Sequence, residues 1–135
     1  MSALFLSLIV LTLGQTSTAQ PTAAEILQRL DLNSFPNSTG PRKVDGWTYP
    51  ADWSFTEASE AEGVATLTNP RVWSISLMVI RHQEDGTIVC FVDDAQNGGS
   101  YLSRVALRVT GDTQTGFRAV DRVSDPSCEP VPGQD

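Results

Sequence analysis

Histidine is almost missing from this sequence: among 135 residues only His82 occurs, beside two cysteines, Cys90 and Cys128. Three such side chains are too few for most zinc sites, so no metal or other cofactor is expected. Basic residues are scarce as well, 9 against 16 acids, which gives a net charge of −7. That balance argues against nucleic acid as a partner, because neutralising phosphates takes a surplus of Lys and Arg. Long apolar runs are lacking. The only sizeable one, residues 3–13, covers about eleven positions, where a membrane-spanning helix needs about 20. No nucleotide-binding glycine loop, Gly-x-Ser-x-Gly elbow or Cys-x-x-Cys pair is present.

What is present begins with an export pattern. Residues 3–13, followed by Ser17, Thr18 and Ala19, match the apolar core and small-residue cleavage site of a signal peptide. One feature departs from the pattern: no Lys or Arg precedes the run. Cleavage after Ala19 leaves 20–135 as a single exported domain with a Pro-rich tail from about residue 124, periplasmic or extracellular, with no membrane span. In an oxidising compartment two cysteines pair more often than not. A Cys90–Cys128 bridge closes a loop of about 39 residues, for which loop-closure entropy gives roughly 4 kcal/mol. Its mechanical effect is to pin the tail onto the sheet.

The local pattern predicts an α+β fold. Thr22 and Glu25 form a capping box before a short helix over 23–31, with Ile26, Leu27 and Leu30 on one face. Asn33 is placed to close that helix in the left-handed conformation. Residues 33–52 read as an ordered loop anchored by Phe35, Trp47 and Tyr49, with Asn37 in a glycosylation-type triplet. From Trp53 onward the period is two. Strands are predicted over 53–58, 63–68, 72–81, the segment after Asp85-Gly86, 101–110 and 117–123, in meander order. With Asp85-Gly86 as a two-residue turn, Trp73, Ile75, Leu77, Val79, Ile88, Cys90 and Val92 share one face. Met78, Ile80, Val89 and Phe91 take the other, so both faces of this pair are covered. The expected architecture is one helix packed on a curved antiparallel sheet of about six strands, with a small open β-barrel as the alternative.

Candidate sites are few, and none is assigned as catalytic or metal-binding. Asp93, Asp94 and Asn97 lie in a polar stretch that reads as a binding loop or a plain glycine turn. Its match to a calcium loop fails at Ala95 and Arg104. If Leu107 pairs with Ala119, then Arg104, Arg108, Arg118 and Arg122 line one face as an anion patch. Like charges facing each other across strands oppose such a stripe, and a register shift separates them. His82 is expected on the surface near a hairpin tip. Trp47, Tyr49 and Trp53 suit either loop anchoring or an aromatic binding surface.

These residues favour a small exported, non-catalytic binding domain whose partner is a protein or a small anionic ligand. Two alternatives stay open. One is a secreted inhibitor or effector that displays loops 33–52 and 93–101. The other is a carboxylate-dependent hydrolase using Asp93 or Asp94, which requires a cleft and a carboxyl group raised in pKa by burial. Adjacent strand residues point to opposite faces, so those two acids are not a ready-made pair. No motif bears on the oligomeric state.

Overall fold

The computed structural model describes residues 19–36, 40–96 and 101–129. The predicted export signal, apart from Ala19, lies outside the described residues, as do Asn37 and Asn97. The chain opens with α1 (Ala23–Gln28), started by the predicted capping box. Glu25 N–H donates to Thr22 Oγ1 at 3.2 Å, and Thr22 N–H donates to Glu25 Oε2 at 3.0 Å. The helix is shorter than its apolar pattern suggests. Leu30 and Asp31 leave it to form β1, a two-residue strand parallel to Phe117 and Arg118. Asn33 does not cap α1; it sits in a 3-10 turn (Leu32–Ser34), with its N–H bonded to the Asp31 side chain at 2.9 Å. Backbone pairing to a distant strand outweighs local helix propensity here, because so short a helix is marginal on its own.

Six further strands follow: β2 (Glu57–Ala61), β3 (Val64–Asn69), β4 (Trp73–Gln83), β5 (Gly86–Ala95), β6 (Tyr101–Asp112) and β7 (Gly116–Val123). The order across the sheet is β1-β7-β6-β5-β4-β3-β2, an antiparallel meander with the parallel β1 at one edge. The sheet is strongly curled into a half-barrel, and α1 lies on its concave side. Ile26, Leu27, Ile75, Leu77, Val89, Phe91 and Leu107 are at most 1% exposed in that core. Burying each such side chain is worth about 1.5–3 kcal/mol, which is how so short a helix stays formed. Of the expected anchors of the loop after β1, Phe35 is buried while Trp47 is 40% exposed, and Trp53 adds an anchor of its own. Phe35 meets Phe91 edge-on at 4.7 Å, and Trp53 Nε1 donates to the Arg42 carbonyl at 3.0 Å.

Three local expectations are corrected. Trp53 belongs to a 3-10 turn (Pro50–Trp53), so the strand expected over 53–58 instead runs over Glu57–Ala61 as β2. Its turn is Glu62-Gly63, with φ of 54° and 78°. Between β4 and β5 the turn residues are Glu84 and Asp85, while Gly86 opens the strand opposite Gln83. A Cβ at Gly86 would fall 2.7 Å from the Val109 carbonyl oxygen, so glycine is needed there for close strand approach. The register therefore pairs Leu77 with Phe91 and Met78 with Cys90, and a bulge at Ile80 shifts it near the tip. Ile75, Leu77, Val89 and Phe91 face the helix; Met78, Cys90 and Val92 face away. Between β6 and β7 the pairs are Val109–Ala119 and Leu107–Arg122, not Leu107–Ala119, with a second bulge between them.

Candidate functional site

The convex face of the sheet is organised in cross-strand rows. The register lines up Ala61, Val64, Met78, Cys90, Ala106 and Val123 in one row. The next row is Ser59, Thr66, Ser76, Val92 and Arg104. An apolar row on a solvent face costs free energy unless something covers it, and the tail 124–129 does so in part. Cys128 bonds to Cys90 with the Cα atoms 5.4 Å apart, the bridge expected from the sequence. Disulfides of this kind persist in oxidising compartments.

Asp125 secures the same strap. Its carboxylate pairs with Arg81 and accepts the Ser127 N–H at 2.9 Å, while its carbonyl accepts the Cys128 N–H at 3.0 Å. The Ser127 amide and the Arg81 guanidinium hold its carboxyl below the usual carboxylate range.

Beside the strap the sheet leaves a groove of about 350 Å³. Val64, Met78 and Val92 supply an apolar floor, Cys90 and Ser127 form the strap side, and Arg104 stands at the end opposite Val92. Ser76, also in the wall, shares a hydrogen bond of 2.9 Å with Thr66. Arg104 is exposed and makes no ion pair or side-chain hydrogen bond among the described residues. The groove thus joins an apolar floor to one uncommitted guanidinium.

The other arginines are placed differently. Arg108 is gripped by Asp121 through two bonds, 3.0 and 3.3 Å, and its Nη1 donates to the Asp85 carbonyl at 3.1 Å. Arg118 faces Thr110, whereas the bulge in β7 sets Arg122 opposite Leu107, out of step with Arg118. A smaller depression of about 150 Å³ on the far side of the strap has Arg122 and Glu129 in its wall.

Asp93 and Asp94 lie inside β5 and are not in a loop. The ladder sends Asp93 to the concave face between Ile75 and Ser103, where it is 1% exposed. Asp94 is half-buried on the convex face and accepts from Gln96 Nε2 at 3.2 Å. His82 is exposed near the β4–β5 tip, with Nδ1 3.1 Å from Thr87 Oγ1. Of the aromatic trio, Trp47 meets Trp53 edge-on at 5.2 Å and Tyr49 lies under the Arg29 guanidinium at 4.9 Å. Val64, Met78, Val92 and Ser127 were not evident as site residues in the sequence. Strand alternation marks the first three as face residues, but only the true register sets them on one floor. Among the described residues no helix is long and apolar enough to cross a membrane. Comparison of the chain with protein-family models, curated proteins and solved structures finds no match.

Proposed function

We propose that the chain is a small exported, non-catalytic binding domain that takes an amphipathic anion in the convex groove. The observation that carries this reading is the unpaired Arg104 at the end of an apolar groove of about 350 Å³. A volume of about 350 Å³ lies at the small end of the range for ligand pockets, which suits a short-chain ligand. An apolar tail would rest on Met78 and Val92, and a carboxylate would take the guanidinium in the bidentate geometry that arginine favours. The strap fixes one wall in advance, which lowers the ordering cost of binding. Export through cleavage after Ala19 is consistent with the disulfide that holds that strap.

Octanoate is a probe of suitable size and chemistry. It should raise the melting temperature in a saturable manner, because a ligand of the folded state stabilises it. The gain should shrink with added salt, since the groove is open to solvent. Octanol and octylammonium should do markedly less. Arg104→Gln should remove the preference for octanoate over octanol while leaving the unliganded melting temperature unchanged. Equal responses to octanoate and octylammonium, or an undiminished response in Arg104→Gln, would refute the assignment.

A further inference from the structure

Among the described residues nothing pairs with the outer side of β2. β2 is the outer strand of the sheet, and all five residues Glu57–Ala61 are exposed. At the opposite edge the first half of β7 is covered: β1 pairs with Phe117 and Arg118, and Ser34 Oγ accepts the Ala119 N–H at 2.8 Å. The β2–β3 turn determines which backbone groups of β2 are free. Glu62 and Gly63 both have positive φ, the signature of a two-residue hairpin turn, so Ala61 and Val64 form a hydrogen-bonded pair. Antiparallel pairs alternate, which makes Ser59–Thr66 and Glu57–Thr68 the next bonded pairs. Ala58 and Glu60 therefore turn their N–H and C=O groups outward, away from β3.

The charge along this edge selects what can pair with it. Glu57, Glu60 and Glu62 are exposed and make no ion pair among the described residues. A second copy of the chain would bring acidic edge against acidic edge, which like-charge repulsion disfavours. Edge charges of this kind deter indiscriminate strand pairing, and by the same physics they admit a strand of opposite charge. We infer that β2 is a docking edge for an extended, lysine- or arginine-bearing segment of another protein, added as a further antiparallel strand on Ala58 and Glu60. Main-chain bonds supply affinity in this mode, and side chains on alternate positions supply selectivity. The inference is independent of the convex groove.

The probe is a peptide of about eight residues alternating lysine with threonine or valine, a length that spans a strand of this size. Titration should give saturable binding that weakens with salt, and hydrogen exchange should slow at the Ala58 and Glu60 amides. Ala58→Pro removes an outward N–H without removing a β2–β3 bond, because proline is tolerated where an edge strand's N–H faces solvent. It should weaken the peptide at least tenfold while the Val64 and Thr66 amides stay protected. If that variant loses β2, the double substitution Glu57→Gln and Glu60→Gln provides a second route, and it should also weaken binding at least tenfold. Unchanged binding by either variant, equal binding of a glutamate-for-lysine peptide, or no slowing at Ala58 and Glu60 would overturn the proposal. Slowing at those amides that grows with protein concentration and without peptide would mean that a second copy occupies the edge instead.

Discussion

The indole N–H of Trp73 donates to Asp93 Oδ1 across 2.6 Å, and it is the only side-chain hydrogen bond of that carboxylate among the described residues. Phe55 packs edge-on against the same indole at 4.8 Å. A carboxylate has room for about four hydrogen bonds, so one donor leaves Asp93 poorly compensated for its burial. Desolvation pushes its carboxyl up, the Trp73 bond pulls it down, and the charge of Asp94 adds to the rise.

Folding therefore raises the proton affinity of Asp93. The stability it contributes is complete below the unfolded carboxylate value of about 3.9 and is lost as pH rises through the higher folded value. Asp93→Asn keeps an acceptor for Trp73 and removes the charge. It should unfold with about 1 kcal/mol more free energy near neutral pH, about 4 °C in Tm, and with no gain near pH 3. Denaturant titrations at the two pH values check this, and equal stabilities near neutrality would show that the buried charge carries no penalty.

How much of this site could be read beforehand depends on which interactions are local. The Thr22–Glu25 capping box lies within four residues, and both of its bonds form. The meander and the Cys90–Cys128 pairing followed from period and from cysteine count. Register did not. Both faces of β4 and β5 are apolar, so an odd shift between them left a plausible pattern on each side. The bulges at Ile80 and in β7 add one residue apiece, a feature with no composition signal of its own. β1 is two residues held by backbone bonds to β7, too short to show any periodicity. The burial of Asp93 was hidden for a related reason: its partner Trp73 is 20 residues away, and polar neighbours made the strand end look like a loop.

The strap gives a second prediction. Cys90 and Cys128 are 38 residues apart in sequence and both are buried. Replacing both with alanine should cost about 2–4 kcal/mol of stability. Hydrogen exchange at the Ser127 and Cys128 amides should rise, while the α1 amides, on the other side of the sheet, stay protected to the extent of the remaining global stability. The wild-type chain, denatured without reductant, should show no thiol to a labelling reagent. Loss of less than about 1 kcal/mol would mean that the Arg81–Asp125 pair alone holds the tail.

Val72 offers a stabilising change. Its φ of 67° is an unfavourable conformation for a β-branched residue, and the side chain is 57% exposed. Holding such a residue there costs about 1–3 kcal/mol, partly offset on replacement by the roughly 0.5–1 kcal/mol of extra chain entropy that glycine brings to the unfolded state. Val72→Gly should therefore stabilise by about 1 kcal/mol, and the Gln96 N–H bond to the Val72 carbonyl, 2.9 Å, does not depend on the side chain. A fall in Tm on this substitution would show that the exposed valine packs on something that relieves its backbone.

Asp125 sets the acid side of the pH profile, with a sign opposite to that of Asp93. Its carboxyl is held low by the Ser127 amide and by Arg81, so the unfolded state binds the proton more readily. The stabilisation is present above the unfolded carboxylate value and is lost as pH falls through the lower folded one. Asp112, held low by the Thr115 and Gln114 amides in the β6–β7 turn, acts in the same direction. Exchange at the Cys128 amide, which donates to the Asp125 carbonyl, should accelerate on acidification beyond the intrinsic trend while the bridge keeps the tail tethered. Asp125→Asn should show that faster exchange already near neutral pH and a flatter response to acid. An unchanged exchange profile in the variant would assign the strap's order to the disulfide and leave the Arg81 contact without a part in it.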